Sequence, residues 1–252
     1  AARGRRDQVV VATKVGAAPR PVDGHWPCSL KADRIITSVE GSLRRLRTDY
    51  IDLYQAHGDD PDTPIDETLK AFETLIKAGK VRAIGASHLS TAKLERALTV
   101  SESTTLPRFD TVQPRYNLVA RTEFEGELQA LCTRRGVGAL CYGALAKGFL
   151  TGKYRTGTPA DSRAATSQFS RFVQPYLDDE RTMAVVEAVC RAAEGLDLSP
   201  VQVALAWVRD RPGVTAPIVG ARTAAQLRTA LSVEDLALPS EIVAALDDVS
   251  AD

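Results

Sequence analysis

Six short apolar runs in this chain each hand over, at the C-terminal end, to residues capable of chemistry. The first ends in Thr13-Lys14-Val15-Gly16, the second in Gln55-Ala56-His57 and the third in Ala86-Ser87-His88. The fourth ends in Gln113-Pro114-Arg115-Tyr116-Asn117, the fifth in Tyr142-Gly143 and the sixth in Gly220-Ala221-Arg222. A lysine emerging from an apolar strand is unusual, because burying its ammonium costs several kcal/mol without a partner. Lys14 either snorkels to the edge of the sheet or holds its charge in a site, and its position alone leaves both open. His57 is open in the same way, between a satisfied structural histidine and a catalytic one.

The elements that must position these residues alternate along the chain. Strands are expected at Gln8–Thr13, Ile51–Ala56, Val81–Gly85, Thr111–Gln113, Val137–Tyr142 and Thr215–Val219. The first, QVVVAT, is β-branched with almost no polar interruption, as in a strand buried on both faces. Between the strands lie amphipathic stretches, beginning with Lys31–Arg47, which carries Ile35, Ile36, Val39, Leu43 and Leu46 at helical spacing. Others are Asp66–Ala78, stopped by Gly79, Thr91–Leu98, opened by Ser90, and Glu123–Arg135. The last four are Asp179–Glu194, Pro200–Arg209, Ala224–Leu231 and Ser240–Val249. A long Gly, Thr, Ser and Arg-rich loop is expected from Gly148 to about Gln174.

Strict strand–helix alternation predicts a parallel sheet covered by helices. Both an open doubly wound sheet and a closed (β/α)8 barrel satisfy it. No G-x-G-x-x-G follows any strand, so a Rossmann nucleotide site has no support. The reactive residues gather at strand C-termini, where a barrel keeps its site.

Composition narrows the function classes. The chain has 252 residues, 44% hydrophobic and 25% charged, the proportions of one globular domain, which exclude collagen and low-complexity disorder. Lys+Arg and Asp+Glu both total 32, and without a basic excess nucleic acid is not an expected partner. No apolar run reaches the ~18 residues that span a bilayer, and the N-terminal segment lacks the apolar core of a secretory signal. Cys28, Cys132, Cys141 and Cys190 are scattered, with no C-x-x-C pair. They read as reduced thiols of a cytoplasmic protein, and neither a metal site nor a disulfide framework is expected.

Taken together, the segments resemble the aldo-keto reductases. Leu43 to His57 is similar to that family's L-x-x-L-x-x-D-Y-I-D-L-x-x-x-H signature, and Lys80 to Ser87 to its G-K-V-R-x-I-G-x-S segment. Gln113 to Asn117 resembles Q-x-x-Y-N, Gly148 to Tyr154 resembles G-x-L-T-G-K-Y, and Pro217 to Arg222 resembles P-I-x-G-A-R. The likeness runs over essentially the whole chain in the family's order. It implies a (β/α)8 barrel, with about six of the eight βα units in this chain as one domain. It also implies NADPH-dependent reduction of an aldehyde or ketone, a small carbonyl compound being the partner.

Carried over residue by residue, the resemblance makes Lys14 and His57 members of the family's Asp-Tyr-Lys-His tetrad. Tyrosine donates the proton there, and a nearby Lys⁺ lowers its proton affinity. The histidine orients the carbonyl oxygen and stabilises its developing charge. Ser87, His88 and Gln113 are implied to hold the nicotinamide carboxamide. The family commonly has Asn where this chain has His88, and a neutral imidazole offers donor and acceptor only through opposed ring nitrogens. Tyr142 resembles the aromatic residue that stacks on the nicotinamide, while Gly143, Leu145 and Lys147 approach the pyrophosphate. Gly220 belongs to the last motif, in which Arg222 resembles the clamp on the adenosine 2′-phosphate. Gln226 resembles an adenine contact. NADPH is the expected cofactor, with NADH as the alternative. His25 and Trp26 fall where family members line the substrate pocket, or else in an exposed loop.

One departure shapes the expectation. The family's Asp and Tyr lie upstream of the lysine, and residues 1–13 contain no tyrosine. Two absent βα units of a ~250-residue barrel amount to roughly 60 residues. The chain therefore reads as an N-terminally shortened member, catalytically incomplete as it stands. An alternative is a non-catalytic NADPH-binding regulatory or scaffold protein on the same barrel.

Overall fold

The structure is a computed structural model that describes residues 4–18, 27–160, 162, 164–165 and 170–251, the side chains of 170–172 excepted. It forms two compact units, Ala1–Gln113 with Leu131–Gly138 and Pro114–Ala130 with Ala139–Asp252. The first carries β1 (Ala12–Val15), α1 (Ala32–Leu46), β2 (Ile51–Ala56), α2 (Ile65–Lys77), β3 (Val81–Ser87), α3 (Thr91–Thr104) and β4 (Thr111–Gln113). Its strands pair in parallel in chain order. One register line runs Lys14–Gln55–Gly85–Thr111, and Ser87 pairs with Gln113.

Helix α1 buries Ile35, Val39 and Leu43, while Ile36 and Leu46 of the same periodic set stay 39% and 44% exposed. Tyr54 of β2 meets Phe72 of α2 edge-on at 5.8 Å, and Phe72 meets Phe109 at 6.2 Å. Gly79 ends α2 with φ +70°, the left-handed cap position. The Ser90 hydroxyl accepts from Lys93 N and opens α3.

The acidic signature segment works at the N-terminal end of β2. Asp52 pairs with Arg6 at 2.7 Å and Arg82 at 3.0 Å and accepts from Val11 N. Both guanidiniums lie 3.9 Å from the Tyr50 ring centre, one cation for each contact. This cluster pins the approach to β1.

The second unit carries β5 (Gly138–Cys141), α5 (Ser170–Leu177), α6 (Glu180–Gly195), α7 (Pro200–Arg209), β6 (Val214–Pro217), α8 (Ala224–Leu231) and α9 (Ser240–Val249). Helix α4 (Glu127–Arg135) belongs partly to each unit. β5 and β6 are parallel. Helix α7 opens on a capping box of Ser199 and Gln202 with Pro200 in the first turn. The buried Trp207 packs on Tyr116, and its indole N–H donates to Asp247 at 2.9 Å. Arg121 and Arg211 both pair with Asp247, which fastens α9.

Among the described residues, six parallel strands alternate with helices, an α/β fold consistent with a (β/α)8 barrel. Two local expectations need correction. The first strand starts at Ala12, not Gln8; Gln8 closes a 3-10 turn, and Val9 and Val10 are 40% and 78% exposed, so the run is not buried on both faces. Lys14 accordingly sits within β1. The long loop after β5 is also not structureless: a 3-10 stretch occupies Ala146–Thr151, and α5 begins at Ser170.

Candidate functional site

In the first unit five of the expected residues lie on or directly after β1 to β4. Lys14 is half-buried, and the loss of solvent lowers its proton affinity. His57 follows β2 directly and donates its backbone N–H to Val15 O at 2.8 Å, which fixes it beside the end of β1. Its imidazole also holds a proton less tightly than usual, through burial first and then the neighbouring charges of Lys14 and His88. His88 follows β3 with φ +53°, a left-handed conformation that a non-glycine residue rarely adopts. Its ring stacks against His57.

Ser87, the last residue of β3, is fully buried and donates from Oγ to the Gln113 carbonyl at 3.1 Å. Gln113 ends β4 and donates from Nε2 to Gln55 Oε1 at 3.3 Å. Gln55 lies two residues before His57 in an apolar strand. The sequence placed it at the end of the second apolar run but gave it no role, although a buried amide in the run Ile51–Ala56 was the available signal.

In the second unit Tyr142 follows β5. Its backbone N donates to Pro114 O at 2.9 Å, and its carbonyl accepts from Tyr116 N at 3.2 Å. Burial raises the proton affinity of its phenol. The Asn117 amide donates to Gly143 O at 2.9 Å and accepts from Val119 N, so one fully buried side chain holds the turn after Tyr142. Gly143 has φ +73°, which a side chain would strain. Leu145 precedes three consecutive residues at positive φ, Ala146, Lys147 and Gly148. The Lys147 ammonium lies 5.4 Å from the ring centre of Tyr176, whose hydroxyl faces Arg115 at 3.4 Å. Asn117 and Tyr176 were given no role by the sequence, because each acts through a partner distant in the chain.

Gly220, Arg222 and Gln226 are exposed around the start of α8. Thr223 caps the helix, and Gln226 Oε1 accepts from Arg222 N at 2.8 Å. The Gln226 carbonyl oxygen is thus engaged in shaping the helix entrance. His25 and Trp26 lie outside the described residues. All four cysteines are free thiols. Among the described residues no cluster of three or more His, Cys, Asp or Glu could hold a metal ion, and no helix is long and apolar enough to cross a membrane.

A family profile described as the aldo/keto reductase family matches residues 1–251. The chain belongs to that family. This aldo/keto reductase is 36% identical over 252 residues to "Uncharacterized oxidoreductase YrpG" of Bacillus subtilis, covering 97% of the chain and 73% of that protein. It is 34% identical to "Aldo-keto reductase YhdN" of the same organism over 238 residues, 94% of the chain and 69% of that protein. It is also 32% identical over 234 residues to "Probable voltage-gated potassium channel subunit beta" of Arabidopsis thaliana, 92% of the chain and 70% of that protein. The general chemistry of this aldo/keto reductase is that of an oxidoreductase.

Proposed function

We propose that this aldo/keto reductase reduces an aldehyde or ketone to the alcohol with NADPH, and that Lys14 and His57 act at the reacting carbonyl. The observation that carries the reading is the pair itself. Lys14 lies within β1 and His57 directly follows the neighbouring β2, and burial makes both hold protons less tightly than they do in water. A cation and an imidazole with shifted proton affinities, side by side in partly buried surroundings, mark a candidate site for acid–base chemistry.

Bound NADPH would supply the hydride. Reduction places negative charge on the carbonyl oxygen, which needs a hydrogen-bond donor and then a proton. His57, kept neutral by its surroundings, donates an N–H to that oxygen. The Lys14 ammonium lowers the proton affinity of a neighbouring hydroxyl, which the resemblance makes a tyrosine from the part of the family pattern preceding Lys14.

Each unit, taken by itself, carries groups of the kind the cofactor needs. Ser87, His88 and Gln113 offer a hydroxyl, an imidazole and an amide to a carboxamide. Tyr142 offers a ring face, and the positive-φ backbone at Gly143 leaves room for close approach, with Leu145 and Lys147 following. Arg222 stands with Gly220 and Gln226 at the N-terminus of α8, where a guanidinium and a helix end both favour a phosphate.

The test is a fluorescence titration with NADPH followed by steady-state reduction of aromatic and aliphatic aldehydes by the full-length protein. Saturable binding with aldehyde-dependent oxidation of NADPH is the expected result, and absence of binding overturns it. Similarity to the Arabidopsis protein named as a channel subunit favours one second reading, an NADPH-binding regulatory protein without turnover. Tight binding with no oxidation by any aldehyde supports that second reading.

A further inference from the structure

Gln55 lies on β2, Gln113 on β4, and β3 runs between them. Their amides nevertheless meet at 3.3 Å. The crossing is possible because the residue of β3 on the same register line is Gly85. A Cβ at that position would stand 3.1 Å from Gln55 Cγ and 2.3 Å from Thr111 Oγ1. Gly85 is not at positive φ, so backbone freedom is not its reason; the close approach of its neighbours is.

Both glutamines are withdrawn from water, at 2% and 6% exposure. A buried amide without a partner has lost its water and gained nothing in exchange, so each has cause to keep the other. Ser87 holds the Gln113 backbone carbonyl, and the Nε2 bond to Gln55 orients the Gln113 side-chain amide. Its Oε1 is then presented in a fixed direction.

We propose that Gln55 is a positioning residue, which reaches over Gly85 to orient the Gln113 amide toward the carboxamide of the nicotinamide. This rests on the cofactor reading above. Gln55 touches neither cofactor nor substrate and acts only through Gln113. Gly85 is the second part of the device, since any side chain there would occupy the path that Gln55 takes.

The experiment compares Q55L, Q55N, Q113L and the Q55L/Q113L double variant of the full-length protein. Two probes are titrated: NADPH, and adenosine 2′,5′-bisphosphate, which has no nicotinamide. Q55N keeps a polar amide but is one methylene short of the crossing, and it carries the test should Q55L not fold. The expected result is that Q55L and Q55N weaken NADPH by about two- to tenfold and leave the bisphosphate unchanged. The double variant binds NADPH no more weakly than Q113L alone, because the two changes remove one interaction. Equal weakening of both probes, or losses that add in the double variant, overturns the proposal. Parent protein that binds the bisphosphate but not NADPH also overturns it. Parent protein that binds neither overturns the cofactor reading as well.

Discussion

The imidazoles of His57 and His88 lie 6.4 Å apart between ring centres, with 26° between their planes. A proton on either ring raises the cost of one on the other, and His88 is held there by a backbone in the left-handed region. The groups that bear on His57 are its burial, Lys14 on β1 and His88 after β3, and all three disfavour the imidazolium.

The pH consequence has a definite sign. His57 in the folded protein takes up a proton only below its ordinary value of 6.5. The unfolded chain therefore binds that proton first as pH falls, and the fold loses stability from about pH 6.5 downward, with no contribution from this group well above it. NMR titration should give a midpoint for His57 under 6.5, and His88→Asn should move it upward. An unchanged midpoint in the variant would show that His88 exerts no charge on His57.

Arg222→Ala should weaken NADPH far more than NADH, by about 1.5–3 kcal/mol for a charge-assisted contact. Fluorescence titration with both cofactors measures the difference. Equal losses would place the 2′-phosphate elsewhere.

Asn117→Ala removes the amide that joins Gly143 O to Val119 N inside the second unit. Leaving those buried backbone groups unpaired should cost about 1–3 kcal/mol in urea unfolding. The turn carrying Tyr142 loses its brace at the same time, so NADPH affinity should fall too. A variant with parental stability would mean that water replaces the amide.

Much of this molecule was legible in its sequence because the signals were local. The run Val81–Gly85 with its following Ser87 and His88, the cap at Ser90 and the stop at Gly79 all depend on residues within a turn of each other. The first strand misled because apolar character was taken for burial: Val9 and Val10 continue the run but stand in the open. Helix α5 was hidden by polar, glycine-rich surroundings and by Pro175 within it. In the site, Lys14 and His57 could be named from strand ends and motif. The bond between Gln55 and Gln113, 58 residues apart, could not, since no spacing rule reaches across a strand through a missing side chain. Asn117 stood inside a quoted motif without a role, because its work is done on Gly143, 26 residues away.

The central claim is that Lys14 serves carbonyl reduction and does not merely reach for solvent. The most direct test is the kcat of Lys14→Met in the full-length protein with a reactive aromatic aldehyde, alongside the NADPH dissociation constant. Loss of a charge that acts in the transition state should lower kcat by about 100-fold or more while NADPH affinity changes little. A parental kcat in the variant, or a loss confined to NADPH affinity, would contradict it.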